Sequence, residues 1–145
     1  MRLRWLTVMA VVASAVGLSV AQQTPSDVAF AGEFFFRFRV AAGGLSPQAR
    51  AGVVQERLTQ VFTRLYDRGA LPTVGVRHHN GWATIWVTGV LFVTVTPDDA
   101  RANGTTVRHL ASQWGRNTAR ALRTILPTPK VARPLRRALW LAQAR

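Results

Sequence analysis

The chain has 145 residues, with 19 Lys or Arg against six Asp or Glu, a formal net charge of +13, and no cysteine. That length suits one domain, and the missing cysteines exclude disulfides, thiolate catalysis and thiolate metal centres, so the fold must rest on its apolar core. A field this basic attracts polyanions: nucleic acid, anionic lipid head groups or acidic envelope polymers.

Residues 1–21 have the form of an export signal. Arg2 and Arg4 precede an apolar stretch from Leu6 to Val16, and Ser19-Val20-Ala21 supplies the small side chains a signal peptidase reads, which predicts cleavage before Gln22. The apolar stretch is shorter than the ~20 residues of a spanning helix, and no later run approaches that length. Export also makes nucleic acid the least fitting of the polyanions.

Residues 22–27 form a polar leader containing Pro25, and residues 28–126 carry the domain. Val28 to Phe30 and Phe34 to Val40 form a β-hairpin across Ala31-Gly32-Glu33. Strict alternation in its second arm puts Phe34, Phe36, Phe38 and Val40 on the core side and Phe35, Arg37 and Arg39 outside. Ser46-Pro47 then announces a helix, since serine accepts from orphan first-turn amides and proline at N1 sacrifices no donor. Ala51, Val54, Leu58, Val61, Phe62 and Leu65 recur on one face of it, Arg50 and Arg57 fall among the polar positions, and Gly69 stops it.

Thr73 to Arg77, Trp82 to Val87 and Val90 to Thr96 are three further strands, joined through Asn80-Gly81 and Thr88-Gly89. Ile85, Val87, Leu91, Val93 and Val95 are expected on one face, and Thr84, Trp86, Phe92, Thr94 and Thr96 on the other. Pro97-Asp98-Asp99 closes the sheet with a helical turn through Ala102. Thr105 or Thr106 caps a longer helix whose stripe is Val107, Leu110, Ala111, Trp114, Thr118, Ala121, Leu122 and Ile125, ended by Pro127. The expected fold is α+β: a hairpin, a helix, a three-stranded antiparallel meander and a second helix, with all five strands in one sheet and both helices on one face. Residues 127–145 are a Pro- and Arg-rich tail containing a short amphipathic segment.

The segments "GEFFFRFR", "SPQARAGVVQERLTQVF", "ATIWVTGVLFVTVTPDDARANG" and "TVRHLASQWGRNTARALRTIL" resemble, in that order, a periplasmic domain that precedes the membrane region in some bacterial small-conductance mechanosensitive ion channel proteins. The resemblance spans Val28 to Leu126. It implies a domain type and an envelope compartment; it does not imply ion conduction, because no transmembrane, pore or cytoplasmic channel segment accompanies it.

No catalytic constellation frames the polar residues. His78 and His79 are adjacent in a strand and point to opposite faces, which disfavours shared chelation with or without His109. Asp98-Asp99 reads as a helix cap, and Gly43-Gly44 lacks phosphate-loop spacing. No cofactor, metal site or enzymatic activity is expected. Three surfaces remain. His109, Gln113, Arg116, Arg120 and Arg123 form a ridge on the last helix. Arg133, Arg136, Arg137 and Trp140 give the tail a basic, interfacial character suited to an anionic membrane surface. Trp82 and Trp86 share a strand face beside Phe92 of the next strand, and the three form a candidate exposed aromatic patch. The leading expectation is a non-enzymatic exported envelope domain that binds a membrane surface or an envelope protein. The alternative is an accessory subunit or truncated remnant of a channel, and a small hydrolase has no residue pattern in its favour.

Overall fold

The computed structural model describes residues 24–68 and 71–126. In chain order the elements are β1 (Ser26–Phe30), β2 (Glu33–Phe38), α1 (Pro47–Arg68), β3 (Val74–His78), β4 (Ala83–Val87), β5 (Val90–Val95), α2 (Pro97–Ala102) and α3 (Val107–Ile125). The α+β class and the expected order of elements are present, and β1 reaches back to Ser26, two residues into the expected leader. The expected export signal and the expected tail lie outside the described residues.

The strands make two antiparallel sheets, β1-β2 and β3-β4-β5, where one five-stranded sheet was expected. The reason is visible along α1, which packs against both β1 and β5. Gln48 Nε2 donates to the Thr24 carbonyl at 2.6 Å and Gln55 Nε2 to the Ala29 carbonyl at 3.0 Å. On another side of the helix, Arg50 Nη2 donates to the Thr94 carbonyl at 3.3 Å and Arg57 Nη1 to the Phe92 carbonyl at 3.2 Å. Each pair is seven residues apart, two helical turns or about 10.5 Å. Backbone carbonyls just before and on β1, and on β5, thus accept from side chains of one helix that lies against both.

The second difference is in the alternation. Val28 pairs with Phe36 and Ala29 with Phe34, which leaves Phe35 as an extra, unpaired residue. The bulge reverses the expected inside and outside from that point back. Phe35 is fully buried beside Phe36 and Phe38, whereas Phe34 is 46% exposed. The same device recurs in β5: Ile85 pairs with Val93 and Trp86 with Leu91, leaving Phe92 extra. Phe92 is fully buried and Leu91 half-buried, opposite to their expected sides. The two bulge rings meet, Phe35 to Phe92, at 6.1 Å between centroids. Phe36 also reaches Phe92 edge-on at 6.1 Å and stacks on Trp114 at 4.5 Å, with Phe38 edge-on to the same indole at 5.5 Å. Five aromatic rings therefore join the two sheets and α3 across one core.

The helices follow their expected faces. Ser46 Oγ accepts from the Ala49 amide at 3.2 Å and Pro47 opens α1. Ala51, Val54, Leu58, Val61 and Leu65 are buried and Phe62 packs against them. Thr106 caps α3 through the His109 amide at 3.2 Å, and Leu110, Ala111, Trp114, Thr118, Ala121 and Leu122 are buried beneath it. Gly115 packs against β3: a Cβ there would stand 2.9 Å from Val76 Cγ2, so a side chain at that position would force Val76 to shift.

Candidate anion-binding face

Arg50, expected on the solvated side of α1, is buried at 7% exposure against Asp99 at 1%. The reason is a bidentate ion pair, Nη1 to Oδ1 and Nη2 to Oδ2, both at 2.7 Å. Arg50 also donates to the Val40 carbonyl at 3.0 Å and lies 4.0 Å over the Phe38 ring. Asp99 keeps its expected capping role: Thr96 N–H and Thr96 Oγ1 donate to its Oδ2, both at 2.9 Å, and the Thr96 hydroxyl accepts from the Asp99 amide. The pair thus ties α1 to the segment after β2, to β5 and to α2. An open pocket of about 280 Å³ lies against it, between the loop at Ala42 and Leu45, α1 and β5. Its cations, Arg50 and Arg57, are already spent on carboxylate and carbonyl oxygens.

The outer face of α3 is different. Arg116, Arg120, Arg123, His109 and Gln113 are all exposed, and the three arginines have no acidic partner among the described residues. Of the six acids in the chain, Asp27, Asp98 and Asp99 are already paired, with Arg37, Arg101 and Arg50. The ridge expected from sequence is therefore exposed on one face of α3, with none of its arginines in an ion pair among the described residues.

Beside the ridge, between α3 and β2, lies an open cleft of about 370 Å³. Phe34, Arg37 and Arg39 come from β2 and its end, Asn103 caps α2, and Gln113 and Asn117 come from α3; the buried Trp114 and Phe36 also line it. Arg39 Nε donates to Asn103 Oδ1 at 3.1 Å, and Asn103 Nδ2 donates to the Asp99 carbonyl at 2.8 Å. Sequence reading missed this grouping, because its members come from three separated segments and only the bulge turns Phe34 outward.

Arg37 faces Asp27 directly across the hairpin, and its Nη2 donates to Asp27 Oδ2 at 2.8 Å. This hydrogen-bonded guanidinium lowers the Asp27 pKa below its usual 3.8, against a small opposing effect of burial. A depressed carboxylate contributes stability above its unfolded pKa and loses it as pH falls through the folded value. The Asp27 carboxyl signal should accordingly titrate below pH 3.8 in a carbon-detected NMR titration, and Arg37→Ala, which removes the guanidinium and its hydrogen bond, should raise it. With both side chains nearly half exposed the effect on stability is small.

The aromatic patch is only partly assembled. Trp82 is 41% exposed and stacks on His79 at 3.9 Å. Trp86 is half-buried, donates to Thr84 Oγ1 at 3.0 Å and lies under Arg77 at 4.7 Å. Phe92 does not belong to it, because the β5 bulge turns that ring into the core. His78 is exposed, and among the described residues no three metal-ligating side chains come together. No described helix is long and apolar enough to cross a membrane. Arg133, Arg136, Arg137 and Trp140 lie outside the described residues.

No curated protein and no solved structure matches the chain. A family model described as a domain of unknown function, DUF8459, matches residues 27–125, from β1 through the last residue of α3, and the chain belongs to that family.

Proposed function

We propose that this is an exported, non-enzymatic envelope domain that docks on an anionic membrane surface through the outer face of α3, and that it is related to the extramembrane domains of mechanosensitive channels. The observation that carries this reading is the row of Arg116, Arg120 and Arg123, exposed on one helix face and without acidic partners among the described residues. Guanidinium groups so placed can meet lipid phosphates without first breaking internal pairs. The resemblance to domains that precede a membrane region supports the same placement, and the basic tail with Trp140 would add to the contact.

Each arginine near an anionic surface contributes ~1 kcal/mol, so removing three should weaken binding about a hundredfold. The full exported chain should sediment with vesicles containing phosphatidylglycerol and not with pure phosphatidylcholine. High salt should release it, since screening shortens the reach of surface charge. The variant Arg116→Gln/Arg120→Gln/Arg123→Gln should remain in the supernatant at its normal melting temperature. If that variant sediments like the wild type, α3 is not the docking face.

A further inference from the structure

The cleft between β2 and α3 has a composition that the ridge lacks. Its cations are Arg37 and Arg39, but Arg37 is neutralised by Asp27, so one uncompensated guanidinium remains. Arg39 is also held in place. Its Nε is fixed by Asn103 Oδ1, Asn103 is fixed in turn by the Asp99 carbonyl, and Asp99 is the buried end of the Arg50 pair. The Nη1/Nη2 end of Arg39 is left for an acceptor, and two parallel donors match the two oxygens of a planar carboxylate. One charge suits a monoanion; a phosphate dianion would need a second free cation.

The rest of the cleft is neutral and mixed. Gln113 and Asn117 stand one turn apart on α3, and their amides have no side-chain partner among the described residues. An amide offers both donors and an acceptor, which is the requirement of hydroxyl groups that themselves donate and accept. Phe34 presents an exposed ring, while Trp114 is unavailable because it is buried and stacked on Phe36. One carboxylate, several hydroxyls and one apolar face describe a sugar acid. The cleft volume, about 370 Å³, lies within the ~300–1,000 Å³ range of small-molecule sites.

We propose that this cleft binds a uronic-acid unit of an acidic polysaccharide. Arg39 takes the carboxylate, Gln113 and Asn117 take ring hydroxyls, and Phe34 covers the apolar face of the pyranose. The site shares Gln113 with the edge of the ridge but none of its arginines, and it stands or falls separately from the lipid-docking reading.

Calorimetry on the full exported chain provides the test, with galacturonate trisaccharide, a neutral galactose trisaccharide and free galacturonate as probes. The acidic trisaccharide should bind saturably at millimolar or lower concentration, and the neutral one at least tenfold more weakly. Arg39→Gln should lose at least tenfold, and Gln113→Ala/Asn117→Ala, which changes only the α3 wall of the cleft, several-fold. The triple arginine variant of α3 should bind the trisaccharide as the wild type does, while Arg39→Gln should still sediment with anionic vesicles. Melting temperatures near wild type identify variants that fold; should Arg39→Gln fail this check, the amide double variant decides. No saturable binding, equal binding of the neutral trisaccharide, or wild-type binding by the deciding variant would overturn the proposal. Free galacturonate binding as tightly as the trisaccharide would overturn its polymeric part and assign the site to a free sugar acid. Loss of trisaccharide binding in the α3 triple variant would also overturn it, by moving the contact to the ridge.

Discussion

Asp99→Ala should destabilise the protein by about 3–5 kcal/mol, the usual result of removing one partner from a buried ion pair. The cost is not the worth of the pair itself. It is the free energy of leaving the Arg50 guanidinium buried, with only the Val40 and Thr94 carbonyls and the Phe38 ring for company. Loss of the Asp99 half of the capping box, the bonds from Thr96 N–H and Thr96 Oγ1 to its carboxylate, adds to it, while Thr96 still caps the residue 99 amide. In a domain holding ~5–15 kcal/mol in total, this is a large fraction. Urea denaturation gives the number directly, and the melting temperature should fall by more than about 10 °C. Arg101→Ala, which breaks only the exposed pair with Asp98, should cost less than about 1 kcal/mol. Arg50→Met/Asp99→Leu should recover part of the loss, because removing both charges leaves neither stranded. A loss below 1 kcal/mol for Asp99→Ala would mean that the pair is not buried as described.

What could be read from the sequence divides by the range of the interaction. Ser46 and Thr106 cap their helices as expected, because a cap is decided within four residues; at the start of α2 the expected Asp99 takes part, but the N-cap itself is Thr96, the residue read as the end of the strand. The stripes of α1 and α3 were legible for the same reason: helical periodicity is a local signal, and Leu58 and Trp114 are buried where it puts them. Arg50 was misplaced because the wheel shows only its own helix, and the carboxylate that draws it inward is 49 residues away. The division into two sheets depends on which side chains of α1 reach the carbonyls of β1 and β5. The ridge of Arg116, Arg120 and Arg123 was legible since it lies on one helix. The cleft was not, since Arg39, Asn103 and Asn117 converge only through tertiary packing.

Phe35→Ala should cost about 3–5 kcal/mol, while its neighbour Phe34→Ala should stay within about 0.5 kcal/mol of the wild type. Plain alternation along β2 demands the reverse order, so the two substitutions measure the bulge. In β5 the same logic sets Phe92→Ala, with its ring fully buried, against the milder Leu91→Ala. Because the Phe35 and Phe92 rings touch, the double variant should lose less than the sum of the singles, with a coupling of roughly 0.5–1.5 kcal/mol. Additive losses would deny the contact, and a larger loss at Phe34 than at Phe35 would put the register of the hairpin one residue out. Phe34→Ala has a second use. A variant that folds with normal stability yet loses galacturonate affinity would separate what this ring does for the fold from what it does in the cleft. That separation is possible only because the bulge leaves Phe34 outside the core.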